Sequence, residues 1–173
     1  MPKKTISIPF NRVSIASAPA LTGTAMAMHT LRDLFPDGYI TNPFRIPDDC
    51  DVSRPIDLLA AMRPVVGGFG GVNVLNLQLE VTRVSPGLVG TNLAFLYDYT
   101  TPNLWANSDL QQVLLDNGTG ISFAGSSFLP TDMAGILFRR NGAAGTDNYP
   151  GAVLVADSIL FRYSIRCQMC CCP

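Results

Sequence analysis

The sharpest hydrophobic pattern in the chain is VLNLQLEVTRV, residues 74–84. Leu75, Leu77, Leu79 and Val81 alternate there with Asn76, Gln78, Glu80 and Thr82. A period of two puts the apolar set on one face of a strand and the polar set on the other, as in an antiparallel sheet that covers a core. The same period returns in NLAFLYDY, with Leu93, Phe95, Tyr97 and Tyr99 on one side. It returns again in VLVADSILFRYSI, where Val153, Val155, Ile159, Phe161, Tyr163 and Ile165 share a face that Asp157 interrupts. ISFAG and MAGILFRR read as shorter strands. IDLLAAM sets Ile56, Leu58, Ala60 and Met62 at period two but suits a short helix equally, and residues 109–115 fit either a short helix or an edge strand.

Turn chemistry separates these segments: GGFGG at residues 67–71, SPGLVG after the first strand, and NGAAGTDNYPG before the last. Trp105 is expected to anchor a loop. With 13 Pro, 15 Gly and no long helical pattern between the strands, residues 43–166 are predicted to form a jelly-roll-like antiparallel β-sandwich.

Residues 1–42 have a different texture. They hold small residues and Thr without a sustained period, and Lys3, Lys4, Arg12 and Arg32 stand against Asp33 and Asp37. AMHTLRDLF fits one or two helical turns ended by PDG. A locally basic, pattern-poor segment predicts an extended N-terminal arm that orders on a partner. In that reading Lys3, Lys4 and Arg12 meet carboxylates on a neighbouring protein. Ile6, Ile8 and Phe10 supply the apolar anchor, as a strand added to an exposed sheet edge. Residues 167–173, CQMCCCP, form a Cys-rich C-terminal tail.

Composition sharpens the picture of partners. Hydrophobic residues make up 47% of the 173 and charged residues only 14%, against a usual quarter charged. The deficit points to a surface that faces other chains, although a surface rich in Ser, Thr, Asn and Gly gives the same totals. Ten of the twelve cations are Arg, which tolerates interface burial better than Lys. A net charge of −1 carries no nucleic-acid footprint. No apolar run is long enough to span a bilayer, so no membrane partner is expected. Residues 16–28 do not read as a secretion signal, which places synthesis in a reducing cytoplasm.

Candidate chemistry is sparse. His29 is the one histidine and lies away from any nucleophile motif, so it reads as structural. GGFGGVN lacks the Lys-Ser/Thr of a phosphate loop and reads as a hairpin loop. DDCD, residues 48–51, lacks calcium-loop spacing and reads as an Asx-rich turn. Cys167, Cys170, Cys171 and Cys172 crowd within six residues, where adjacent thiols cannot easily surround one metal. They read as a reduced tail or as cross-links formed after release from the cell, and Cys50 stands alone. Glu80 sits mid-strand with no partner carboxylate singled out. The chain is read as no enzyme, with no metal and no cofactor.

Two segments carry a resemblance. FRIPDDCDVSRPIDL, residues 44–58, resembles the opening of a known virion domain. Residues 129–165 resemble its close: a small-residue turn, a strand ending in Arg, an Asp-x-Tyr-x-Gly turn, and a last alternating strand ending in Tyr. These look like the jelly-roll domains of tailed-bacteriophage virion proteins, found in capsid decoration proteins and in fibre or tail tips. The resemblance implies a structural cement protein, a homotrimer on the capsid surface that binds and stabilises the major capsid protein shell. The alternative it leaves open is a receptor- or carbohydrate-binding tip module with a host surface glycan as partner. Tyr97, Tyr99 and Trp105 are then the candidate sugar platform, against packing in the core or at a trimer axis.

Overall fold

The structure, a computed structural model, describes residues 2–14, 28–32, 36–84, 91–115, 129–130 and 132–166. Its elements are all strands: β1 (Lys3–Ser14), β2 (Met28–Leu31), β3 (Pro36–Thr41), β4 (Phe44–Arg45), β5 (Asp57–Pro64), β6 (Val74–Val84), β7 (Thr91–Thr100), β8 (Gln111–Leu114), β9 (Met133–Asn141) and β10 (Val153–Ser164). They pair antiparallel throughout, in the order β7-β6-β9-β3-β1-β10-β5-β8, with β2 on β10 and β4 on β9. The path folds into two sheets because β1 belongs to both. Its first half runs against β10, Lys3 opposite Ser164 and Pro9 opposite Ser158; its second half runs against β3, Phe10 opposite Thr41. The chain crosses repeatedly between the sets β1-β10-β5-β8 and β3-β9-β6-β7, with β6 and β7 a hairpin inside the second, the strand swapping of a jelly roll.

The core lies between the sheets. Leu75, Leu77, Leu79 and Val81 of β6 are buried with Ile159, Phe161 and Tyr163 of β10, while Asn76, Gln78, Glu80 and Thr82 are half-exposed. Both long alternating segments therefore point their apolar faces inward, as their period requires. IDLLAAM resolves as strand β5 and residues 111–114 as edge strand β8. ISFAG and the cysteine tail lie outside the described residues.

The N-terminal segment differs from expectation. Instead of a free arm, the described residues among the first 42 form β1, β2 and β3, and β1 sits between β10 and β3. Ile8 and Phe10 are buried at 2% and 3% exposure, with Ile6 packed beside them. The physical reason is the sheet switch: Pro9 offers no N–H to the β10 ladder, its carbonyl accepts from Asn42 N at 3.1 Å, and the strand passes to the second sheet. ISIPF thus pairs within its own chain. Lys3 and Lys4 also find their carboxylates at home, on Asp57 at 2.9 Å and on Asp49. Arg12 lies in β1 as well. AMHTLRDLF contributes strand β2, and β3 starts where the PDG turn was expected.

The Asp-x-Tyr-x-Gly turn has a structural explanation. Arg140, at the end of β9, is fully buried. Its guanidinium donates to both oxygens of Asp147 (2.8 and 2.6 Å), to the Tyr149 carbonyl (2.7 Å) and to the Gly151 carbonyl (2.5 Å). The three motif residues each supply an acceptor to one planar donor fork, which fixes the β9–β10 connection. Asp147 also accepts from Asn76 N at 3.0 Å and so ties that turn to β6.

Candidate functional site

The outer face of the β1-β10-β5-β8 sheet carries a groove of about 520 Å³ that crosses all four strands. Ser7 and Pro9 of β1, Ala61 of β5, Gln112 of β8, and Ala156, Asp157, Ser158 and Leu160 of β10 line it, together with Leu110. Small and apolar residues occupy the centre because the inward-facing residues of these strands already fill the core. The sheet's cations stand off-centre. Lys3 and Arg162 both donate to the same Asp57 oxygen, at 2.9 and 2.7 Å. Burial pushes the Asp57 carboxyl up, but these two hydrogen bonds and charges more than offset it and hold it below its ordinary value.

A break in the ladder marks the groove floor. Val155 of β10 stands opposite Met62 of β5, and Ile159 opposite Ala60, so residues 156–158 face Ala61 alone. On the other side of β10 the register passes from Pro9 opposite Ser158 to Met28 of β2 opposite Ala156, and Asp157 falls at the changeover. This bulge is why a carboxylate is tolerated on an otherwise inward-facing register. Nε2–H of His29 donates to Asp157 Oδ1. The His29 ring is fully buried, 4.5 Å from Tyr39 and 6.0 Å from Phe10 between centroids, and its Nδ1 has no partner among the described residues. Asp157 keeps 29% of its side chain open, and it lines the groove. His29 was expected to be structural, and it is packed in the core. Its pairing with a residue 128 positions away carried no local signal.

The aromatic candidates come together elsewhere, at the end of the sandwich. Tyr97, Tyr99 and Trp105 form a row with centroids 6.4 Å apart at each step, continued by Tyr149 at 6.0 Å. Trp105 is 2% exposed and donates its indole N–H to the Asp109 carbonyl at 2.8 Å. It anchors its loop, as expected, but it has no open face for a sugar, and Tyr97 and Tyr99 pack half-buried against the core. Burial pushes the Tyr99 hydroxyl up. Beside this row the GGFGG loop is stapled to the loop of Trp105: Gly68 N donates to the Trp105 carbonyl at 3.0 Å and Leu104 N to the Phe69 carbonyl at 3.2 Å. Gly67 is confined there, since a Cβ would lie 2.3 Å from the Trp105 carbonyl oxygen.

DDCD closes a turn at the opposite edge. Ser53 N and Oγ donate to Asp51 Oδ1 at 3.1 and 2.6 Å, an Asx-type turn. Asp49 accepts from Lys4 and, at 2.9 Å, from the Tyr163 hydroxyl. Burial, then that bond, pushes Tyr163 up to about 12. Cys50 is buried beside Ile165, and burial pushes its thiol up to about 11, away from thiolate reactivity. Among the described residues no three His, Cys, Asp or Glu side chains are grouped to hold a metal.

No family model matches the chain, and no curated protein matches it. Among solved structures, it is similar to one described as carbohydrate-binding modules of the β-sandwich superfamily with promiscuous specificity. The identity is 9% and the TM-score 0.41, over 92% of this chain and 56% of that one, so the chain spans little more than half of that structure's length. It is also similar to a structure described as TmCBM61 in complex with β-1,4-galactotriose, at 11% identity and a TM-score of 0.30, over 93% of this chain and 88% of the other. Neither likeness carries a ligand over to this chain. The strand order itself establishes an antiparallel β-sandwich.

Proposed function

We propose that the chain is a non-catalytic docking module of a bacteriophage virion, a decoration protein that sits as a homotrimer on the major capsid shell. The observation that carries the docking reading is the outer face of the β1-β10-β5-β8 sheet, whose centre is small and apolar and where Asp57 holds Lys3 and Arg162 off to one side. Such a centre ringed by polar groups is the anatomy of a protein interface. The phage assignment follows from the resemblance of residues 44–58 and 129–165. The loss of the free arm moves the proposed contact from Lys3, Lys4 and Phe10 to this sheet face.

Leu160→Arg tests the reading, because it puts a long cation at the groove centre while its side chain points away from the core. The variant should fold, and should fail to co-sediment with shells assembled without this chain, whereas the wild type saturates them. Light scattering of the wild type should give three times 18.6 kDa. Undiminished shell binding by Leu160→Arg, or a wild type that stays monomeric on and off the shell, overturns the reading.

A further inference from the structure

The groove floor holds one carboxylate in a setting built from below. We propose that the groove receives an arginine or lysine side chain from a partner protein, carried between small or apolar neighbours, with its cation on Asp157. This inference rests on the docking reading above and names the chemistry of what docks.

The argument starts with His29. Its Nε2 is hydrogen-bonded to Asp157 from the core side, and the ring is fully buried. The hydrogen bond fixes the carboxylate in orientation, and the ladder break at residues 156–158 turns its open 29% to the groove. Arg63, which stands opposite Leu154 in the same sheet, spends its guanidinium elsewhere, on Met28 Sδ at 3.4 Å and the Asn107 carbonyl at 2.6 Å. Lys3 and Arg162 are committed to Asp57. A preoriented negative charge among Pro9, Ala61, Ala156 and Leu160 is thus poised for a donor from outside. A charge-assisted hydrogen bond there is stronger than one in open water. The volume lies within the usual range of ligand sites, about 300–1,000 Å³. Among the described lining residues there is no aromatic face to stack on a sugar ring, which favours the cation with an apolar flank over a glycan.

The test uses the full chain, labelled with 15N, titrated with the blocked tripeptide Ac-Ala-Arg-Leu-amide and with its Gln counterpart. The arginine peptide should give saturable amide shifts at residues 61, 112 and 156–158, and the glutamine peptide should bind at least tenfold more weakly. Asp157→Asn should cost the arginine peptide tenfold or more. Gln112→Lys leaves the His29–Asp157 pair in place, and its built-in cation should cost a similar factor, so the inference stands even if Asp157→Asn misfolds. Equal affinity for the two peptides overturns it. So does a pattern in which cellobiose or galactobiose shifts these amides and the arginine peptide does not. The two proposals separate cleanly. If Leu160→Arg loses shell binding but the arginine peptide never binds, the cation is wrong and the docking face stands. If Leu160→Arg still binds shells while the arginine peptide shifts residues 156–158, the cation site stands and the shell reading falls.

Discussion

Two carboxylates next to β10, ten residues apart, meet opposite fates. Asp147 and Arg140 are 1% and 0% exposed, and every strong donor or acceptor between them is matched. Asp157 also meets a fully buried cationogenic ring, but only one edge of that ring is used and the carboxylate remains part-open. The first arrangement is closed on itself and serves the fold. The second is closed below and open above, which is the form of a site. Burial alone does not separate the two; completeness of partners does.

The comparison breaks most visibly at Asp147. Asp147→Ala strands a buried guanidinium, and loss of one partner of a buried pair costs about 3–5 kcal/mol. The chemical-denaturation midpoint should fall accordingly. Arg140→Met with Asp147→Leu should recover much of the loss, because the uncompensated charge goes with its partner. If the single variant unfolds at the wild-type midpoint, the ion pair does not hold the β9–β10 connection. His29→Leu should cost less, about 1–2 kcal/mol, since it removes one hydrogen bond and Asp157 can turn to water. A loss as large as that of Asp147→Ala would mean that Asp157 is a buried structural charge and no site.

The smallest effect belongs to the rim. Lys3→Ala removes a donor that is about half exposed, worth less than about 1 kcal/mol. Its small effect should be present at neutrality and fade in acid. The folded Asp57 carboxyl titrates below its unfolded value, so its contribution is full above the unfolded pKa and is lost as pH falls through the folded one. The stabilities of wild type and Lys3→Ala should therefore differ at neutral pH and converge as pH falls below the ordinary aspartate range. Tyr163 behaves in the opposite sense: raised to about 12, it stabilises fully below the ordinary tyrosine range and loses that contribution as pH climbs from about 10 towards 12.

How much of this was legible depends on the kind of pattern each region carries. β6 and β10 declare themselves because a strand with one wet face must alternate, and Asp157 showed as the one residue that breaks its run. β1 hid because its apolar period is short: it rests on Ile6, Ile8 and Phe10 alone, and the strand changes sheets at Pro9. β2 is four residues long, too short for periodicity to register. Arg140 and its turn were visible as a motif, but that the three motif residues all serve one guanidinium appears only in space. His29 with Asp157 had no local signal at all, since the pairing is made by the bulge and the register of two strands far apart in the chain.

The two-sheet membership of β1 has a consequence for how the molecule comes into being. Lys3 lies opposite Ser164, and the Ile165 amide donates to the Pro2 carbonyl at 3.2 Å. β1 is thus completed by a strand made much later in the chain. Until β10 has been made, β1 has one of its two neighbours missing, and Ile8 lacks the Ile159 that stands opposite it. Closing a contact over nearly the whole chain is entropically slow. Refolding from denaturant should accordingly be a slow, single closing event that a change in β1 delays as much as a change in β10. During synthesis the edge of β1 stays an open seam until β10 is in hand.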